Sequence, residues 1–234
     1  MNFKEVTKFK EVIKFKNGHD DNKKVFISSI INSSTPNFDF YIMVILASLI
    51  TSLGIIADNL PLVIAGMIVA PLLSPILAMS LGFTIFKPKL IWRSIKIMLL
   101  SIILSISIST LVGLLFKIEN HQLALVDKMN ISWLTFSIAL AAGITASYAW
   151  TRINSKDYLS GIAIAVTIIP PLTATGLSIS CLDIALFEKV FSFFLMNLIG
   201  IFLGGIIVFP LMNFYKVKKV VDKEIKKEEL HINS

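Results

Sequence analysis

Between residues 40 and 214 the chain alternates long uncharged apolar runs with short polar gaps, and the runs lack the every-second-residue alternation of barrel strands. A bilayer core about 30 Å thick takes about 20 apolar residues per helix. The pattern therefore predicts an all-α polytopic membrane protein with six spans: Phe40 to Ala57, Leu60 to about Phe86, about Ile97 to Phe116, about Ile131 to Trp150, Tyr158 to Ser180 and about Val190 to Phe214. The gaps carry turn and capping residues, among them Asp58-Asn59-Leu60-Pro61, in which a proline stands early in a helix. Trp133, Tyr148 and Trp150 mark the two ends of the fourth span as interfacial aromatics.

Three segments follow: a basic stretch over 1–39, the membrane domain over 40–214 and a charged tail over 215–234. In the first, Phe3, Val6, Phe9, Val12 and Ile13 recur at helical spacing between lysines. Such a segment lies along an anionic membrane surface, and a solvated tail is the alternative.

The second and fifth runs are interrupted at matching places. Slid by 96 positions, Pro75 falls on Pro171, Ser74 on Pro170 and Leu81 on Leu177. Three spans per half is an odd number, so a duplication of this kind enters the membrane from opposite sides and gives two inverted three-helix repeats. Within a helix a proline removes a backbone bond and collides with the carbonyl one turn back. In lipid the freed groups are tolerated only where they face protein or water. Pro71 and Pro75, four apart, are expected on one helix face beside Ser74, and Pro170 and Pro171 stand next to Thr173 and Thr175. The functional reading is two proline-broken helices offering carbonyls and hydroxyls to a small solute or ion; the bland one is kinked helices that only pack. Asn197 in the sixth span requires a partner, an interhelical bond or a solute. Ser101, Ser105, Ser109 and Gly113, like Gly200 and Gly204, recur every fourth residue and read as close packing.

Composition agrees with a bilayer. Hydrophobic residues make up 55% of the 234, charged ones 16%, and mean hydropathy is +0.80. The net charge of +7 is confined to gaps and tails, which argues for lipid headgroups as partners and against nucleic acid. Residues 1–39 carry seven Lys/Arg, 87–96 four, 151–157 two and 216–227 six, whereas Lys117, Lys128 and Lys189 alone fall on the other side. That is the positive-inside pattern, with both termini cytoplasmic.

The chemistry is sparse. No ionisable residue lies near the middle of a predicted span, and no paired carboxylates, HExxH, P-loop or nucleophile motif occurs. Neither catalysis nor a cofactor or metal site is expected. Cys181, the single cysteine, excludes an intrachain disulfide.

The stretches Ile64 to Gly82, Ala139 to Ala149, Leu159 to Ser178 and Met196 to Ile201 resemble the prokaryotic hydrophobic membrane proteins classed as domain of unknown function 389. The resemblance covers nearly all of 40–214. It implies a bacterial inner membrane or archaeal cell membrane, and longer members carry a soluble domain ahead of the membrane part. The residues point to a homo-oligomeric channel or passive transporter acting through Pro71, Ser74, Pro75, Pro170, Pro171, Thr173, Thr175 and Asn197. A non-transporting scaffold or partner-binding subunit is the alternative.

Overall fold

The computed structural model describes residues 37–118, 124–151 and 168–212. The basic segment up to residue 36, the tail beyond 212 and the first part of the predicted fifth span, 158–167, lie outside the described residues. Within them the chain forms α1 (Phe38–Ile56), α2 (Leu60–Val69), α3 (Leu73–Thr84), α4 (Pro88–Phe116), a single helical turn (Ala124–Asp127), α5 (Trp133–Trp150), α6 (Ile169–Ser180) and α7 (Ile184–Leu211).

Local chemistry sets most of these ends. Asn59 caps α2 by accepting from the Leu62 amide at 3.2 Å, with Pro61 in the first turn. Ser132 and Thr135 form a reciprocal capping box on α5. Asp183 accepts from the Leu186 amide at 2.9 Å and starts α7 six residues ahead of the predicted Val190. Asp58, expected as a cap, instead occupies the left-handed turn after α1. Pro88 opens α4, so this helix extends nine residues beyond the predicted Ile97 and carries Arg93 and Lys96 on its first turns.

Helices α1, α4, α5 and α7 are each long and apolar enough to cross a membrane, and α2 with α3 adds a fifth such unit bent by 51°. Neither half of that unit suffices alone, since ten and twelve residues rise only about 15 and 18 Å. The protein is therefore an all-α membrane protein with four spans, or five with the bent pair, among the described residues.

Displaced by 96 residues, the ends of α3 (73 and 84) become those of α6 (169 and 180), and the start of α4 (88) becomes that of α7 (184). Contacts give the directions. Ser48 meets Ser105 and Ser52 meets Ser109, so α1 and α4 run parallel. Gly200 packs on Ala139 and Gly204 on Gly143, so α5 and α7 are parallel too. Gly176 lies against Ser109 while Ser180 lies against Gly113, and Cys181 Sγ donates to the Ile118 carbonyl at 3.6 Å. Helix α6 thus runs alongside α4, and α7 starts at the end where α4 finishes. Asn37, the 85–88 turn, Thr151 and Met212 consequently gather at one end of the bundle, and Ile118 and the 181–184 turn at the other.

Candidate functional site

The break in the second run follows from one residue. Proline disfavours the α region for its predecessor, and Ala70, before Pro71, is extended at φ −71 and ψ 122. Helix α2 ends there, and α3 restarts at Leu73. Pro71 is half-buried in the break and Pro75 sits buried in the first turn of α3, so the two do not share a helix face as their spacing suggested. The interruption makes that spacing irrelevant, because helical periodicity stops between them.

Pro170 and Pro171 are likewise in the first turn of α6, not inside a helix. The N-cap positions are Leu72 and Ile168, and neither supplies a side-chain cap. A helix normally leaves four unpaired N–H groups at its start. Here prolines delete one of the four from α3 and two from α6, since proline has no N–H to satisfy. This is why both helices can start among hydrocarbon side chains. Leu72 and Ile168, themselves 96 apart, belong to one buried cluster with Phe40, Ile76, Ile97, Leu172, Phe194 and Leu198. The two uncapped starts therefore converge in the interior.

Pro71 also leaves a carbonyl without its helical donor, since Met67 lacks an N–H at position 71. The buried hydroxyls of α6 point their hydrogens at their own backbone. Thr173 Oγ1 lies 3.1 Å from the Ile169 carbonyl and 3.0 Å from that of Pro170, and Thr175 Oγ1 donates to Pro171 at 2.8 Å. What they present outward is lone pairs. Ser74 is buried beside Pro75. Asn197, flanked by the cluster members Phe194 and Leu198, donates Nδ2 to the Phe193 carbonyl of its own helix at 3.0 Å. The expected interhelical bond is not the one it makes, because the carbonyl one turn back is within reach.

Residues not singled out from sequence hold the two uncapped helices against their neighbours. Ser80 Oγ stands 3.0 Å from the Phe202 carbonyl across the α3–α7 contact, and Thr110 Oγ1 donates to the Gly176 carbonyl at 2.9 Å across α4–α6. Ser80 and Gly176 are 96 apart, so the displacement that aligned the prolines also marks them. A separate apolar cavity of about 520 Å³ lies at the start of α5, lined by Ile131, Ser132, Trp133, Phe136 and Met196, away from the prolines.

A family model described as Domain of unknown function (DUF389) matches residues 67–203. Over 184 residues the chain is 34% identical to an uncharacterized protein of Methanocaldococcus jannaschii, covering 78% of this chain and 56% of that protein. The chain thus spans about half the length of that relative. No solved structure matches.

Proposed function

Because the chain belongs to the family described as domain of unknown function 389, whose name assigns no activity, we propose from the geometry that it is a channel or passive transporter for a small solute or ion. The observation that carries this reading is the convergence of two uncapped helix starts, at Leu72 and Ile168, inside one interior cluster. In this proposal six spans form two inverted three-helix repeats in a cell membrane, with both termini cytoplasmic and the protein homo-oligomeric and without catalytic activity. The 96-residue displacement of helix ends and the opposed directions of α4 and α7 support the inversion.

The site is rich in acceptors and poor in donors. The carbonyl freed at Met67 and the lone pairs of Thr173 and Thr175 suit a monovalent cation or a neutral solute bearing O–H or N–H groups, and disfavour an anion. Flux of monovalent cations and of neutral polyols into proteoliposomes tests this, with Pro71→Ala as the variant that lets Ala70 rejoin a continuous helix. Flux that is present in the wild type and lost in the variant supports the reading, and flux undiminished by Pro71→Ala overturns it.

The apolar walls of the breaks favour a second reading, a membrane scaffold that moves nothing. Phe40, Ile97, Phe194 and Ile201 surround the helix starts as a hydrocarbon core would. Deleting residues 216–234 separates the two, since a transporter keeps its flux and a scaffold loses a partner held by its tail.

A further inference from the structure

The turns after α3 and α6 are built alike. After α3, the Phe86 amide donates to Phe83 and the Lys87 amide to Gly82, at 3.2 and 2.9 Å. After α6, the Leu182 amide donates to Ile179 and the Asp183 amide to Ser178, at 3.0 and 3.2 Å. Each is a Schellman end whose left-handed position is normally glycine. Here that position is Phe86 (φ 54) in one turn and Leu182 (φ 55) in the other. Both side chains stand out of the protein, 82% and 88% exposed.

What differs is charge. The first turn leads into Lys87, Lys89, Trp92, Arg93 and Lys96, and the residues 96 further on are Asp183, Ala185, Glu188, Lys189 and Ser192. One backbone template therefore carries four cations at one end of the bundle and a net negative set at the other. Trp92 is 62% exposed, and the Lys96 ammonium lies 5.6 Å from its ring centroid. A cation thus lies beside an amphipathic ring of the kind enriched in headgroup layers.

We infer that the Phe86 to Lys96 turn is a docking surface for anionic phospholipid, and that its counterpart at Leu182 to Ser192 is not. Phe86 and Trp92 enter the boundary between acyl chains and headgroups, and the basic side chains meet the lipid phosphates. The inference is independent of transport.

The test uses full-length protein in which Trp133→Phe and Trp150→Phe leave Trp92 as the fluorophore. Bilayers contain brominated phosphatidylglycerol or brominated phosphatidylcholine at equal mole fraction. Quenching by the anionic lipid is expected to be the stronger, by about five-fold in relative association, the scale of one basic residue near an anionic surface. Lys89→Gln with Lys96→Gln should reduce the preference, and Asp183→Asn with Glu188→Gln should leave it intact. Equal quenching by both lipids, or a preference that survives the lysine changes, overturns the proposal. Should the tryptophan changes impair folding, native mass spectrometry of lipid retained by the wild type and by the Lys89→Gln, Lys96→Gln variant decides the same question.

Discussion

Gly205 and Ser80 meet where α7 crosses α3, and a Cβ built on the glycine would stand 2.6 Å from the serine Cβ. Displaced by 96 residues, the pair becomes Ser109 and Gly176 with the roles exchanged. A Cβ on Gly176 would stand 2.6 Å from Ser109 Cβ. Each contact lets an uncapped helix lie directly against the long helix of the other half, which small residues permit in a bilayer.

The two contacts are not equally forgiving, and that gives a first prediction. Alanine at 176 also meets the Ile106 carbonyl at 2.5 Å, whereas at 205 the obstacles are Ser80 and, at 3.3 Å, Ser147, both side chains. Gly176→Ala is expected to cost about 1–3 kcal/mol, as overpacking does, and to lower the unfolding temperature in detergent more than Gly205→Ala. Ser80→Gly should restore Gly205→Ala, while Ser109→Gly should not restore Gly176→Ala, because the Ile106 backbone remains in the way.

The placement of the break near Pro71 was legible in the residues, but its local form was not. Apolar run lengths and prolines located the interruption near Pro71, and the displacement of 96 recurs in the helix ends. Placing Pro75 on one helix face with Pro71 assumed a helix continuing through position 71, and that helix had already ended at Val69. The N-caps at Leu72 and Ile168 gave no signal, since capping is normally polar and here missing N–H groups stand in for it. Phe86 and Leu182 in the left-handed region were equally hidden, because only glycine or asparagine announces that conformation. Asn197 was read as crossing to a neighbour because sequence does not reveal that its amide reaches Phe193.

Helix-start prolines make an unusual prediction about alanine. Replacing a helix-interior proline usually relieves strain, but Pro75 and Pro171 occupy first turns buried in apolar surroundings. Alanine there adds an N–H with no capping side chain to receive it, and also loosens the unfolded chain. Pro75→Ala and Pro171→Ala should each destabilise by about 1–3 kcal/mol, the cost of an unpaired buried donor. Thermal unfolding in detergent reads the sign, and stabilisation by either change would contradict this account of the uncapped starts.

The serine pairs joining α1 to α4 are expected to be weak individually. Ser48 and Ser105 hydroxyls lie 2.8 Å apart and those of Ser52 and Ser109 2.9 Å apart, yet Ser48 also has the Val44 carbonyl and Ser52 that of Ser48, each at 2.7 Å. Removing Ser105 or Ser109 leaves its partner on α1 satisfied within its own helix. A double-mutant cycle on Ser52→Ala and Ser109→Ala should give a coupling of about 0.6 kcal/mol, well under 2, typical of hydroxyl pairs between membrane helices. A coupling of several kcal/mol would mean that the hydroxyls act as one network.

Sidedness can be read by cysteine labelling at the two matched turns. Cys181 is a poor reporter: its thiol is half-buried and donates to Ile118, and burial raises its pKa, opposed by a hydrogen bond with Ser180 and reinforced by Asp183. Its thiolate is scarce at neutral pH, so its alkylation should be slow there and climb as pH rises toward the raised pKa. Phe86 and Leu182 are the better positions, each exposed at the tip of its turn. In a Cys181→Ser background, Phe86→Cys and Leu182→Cys should react with a membrane-impermeant maleimide from opposite faces of oriented vesicles. Position 86 should share its face with the chain termini, because α1 starts and α7 ends at that end of the bundle. Labelling of both positions from one face would remove the inverted arrangement, and with it the convergence of two opposed helix starts on which transport was proposed.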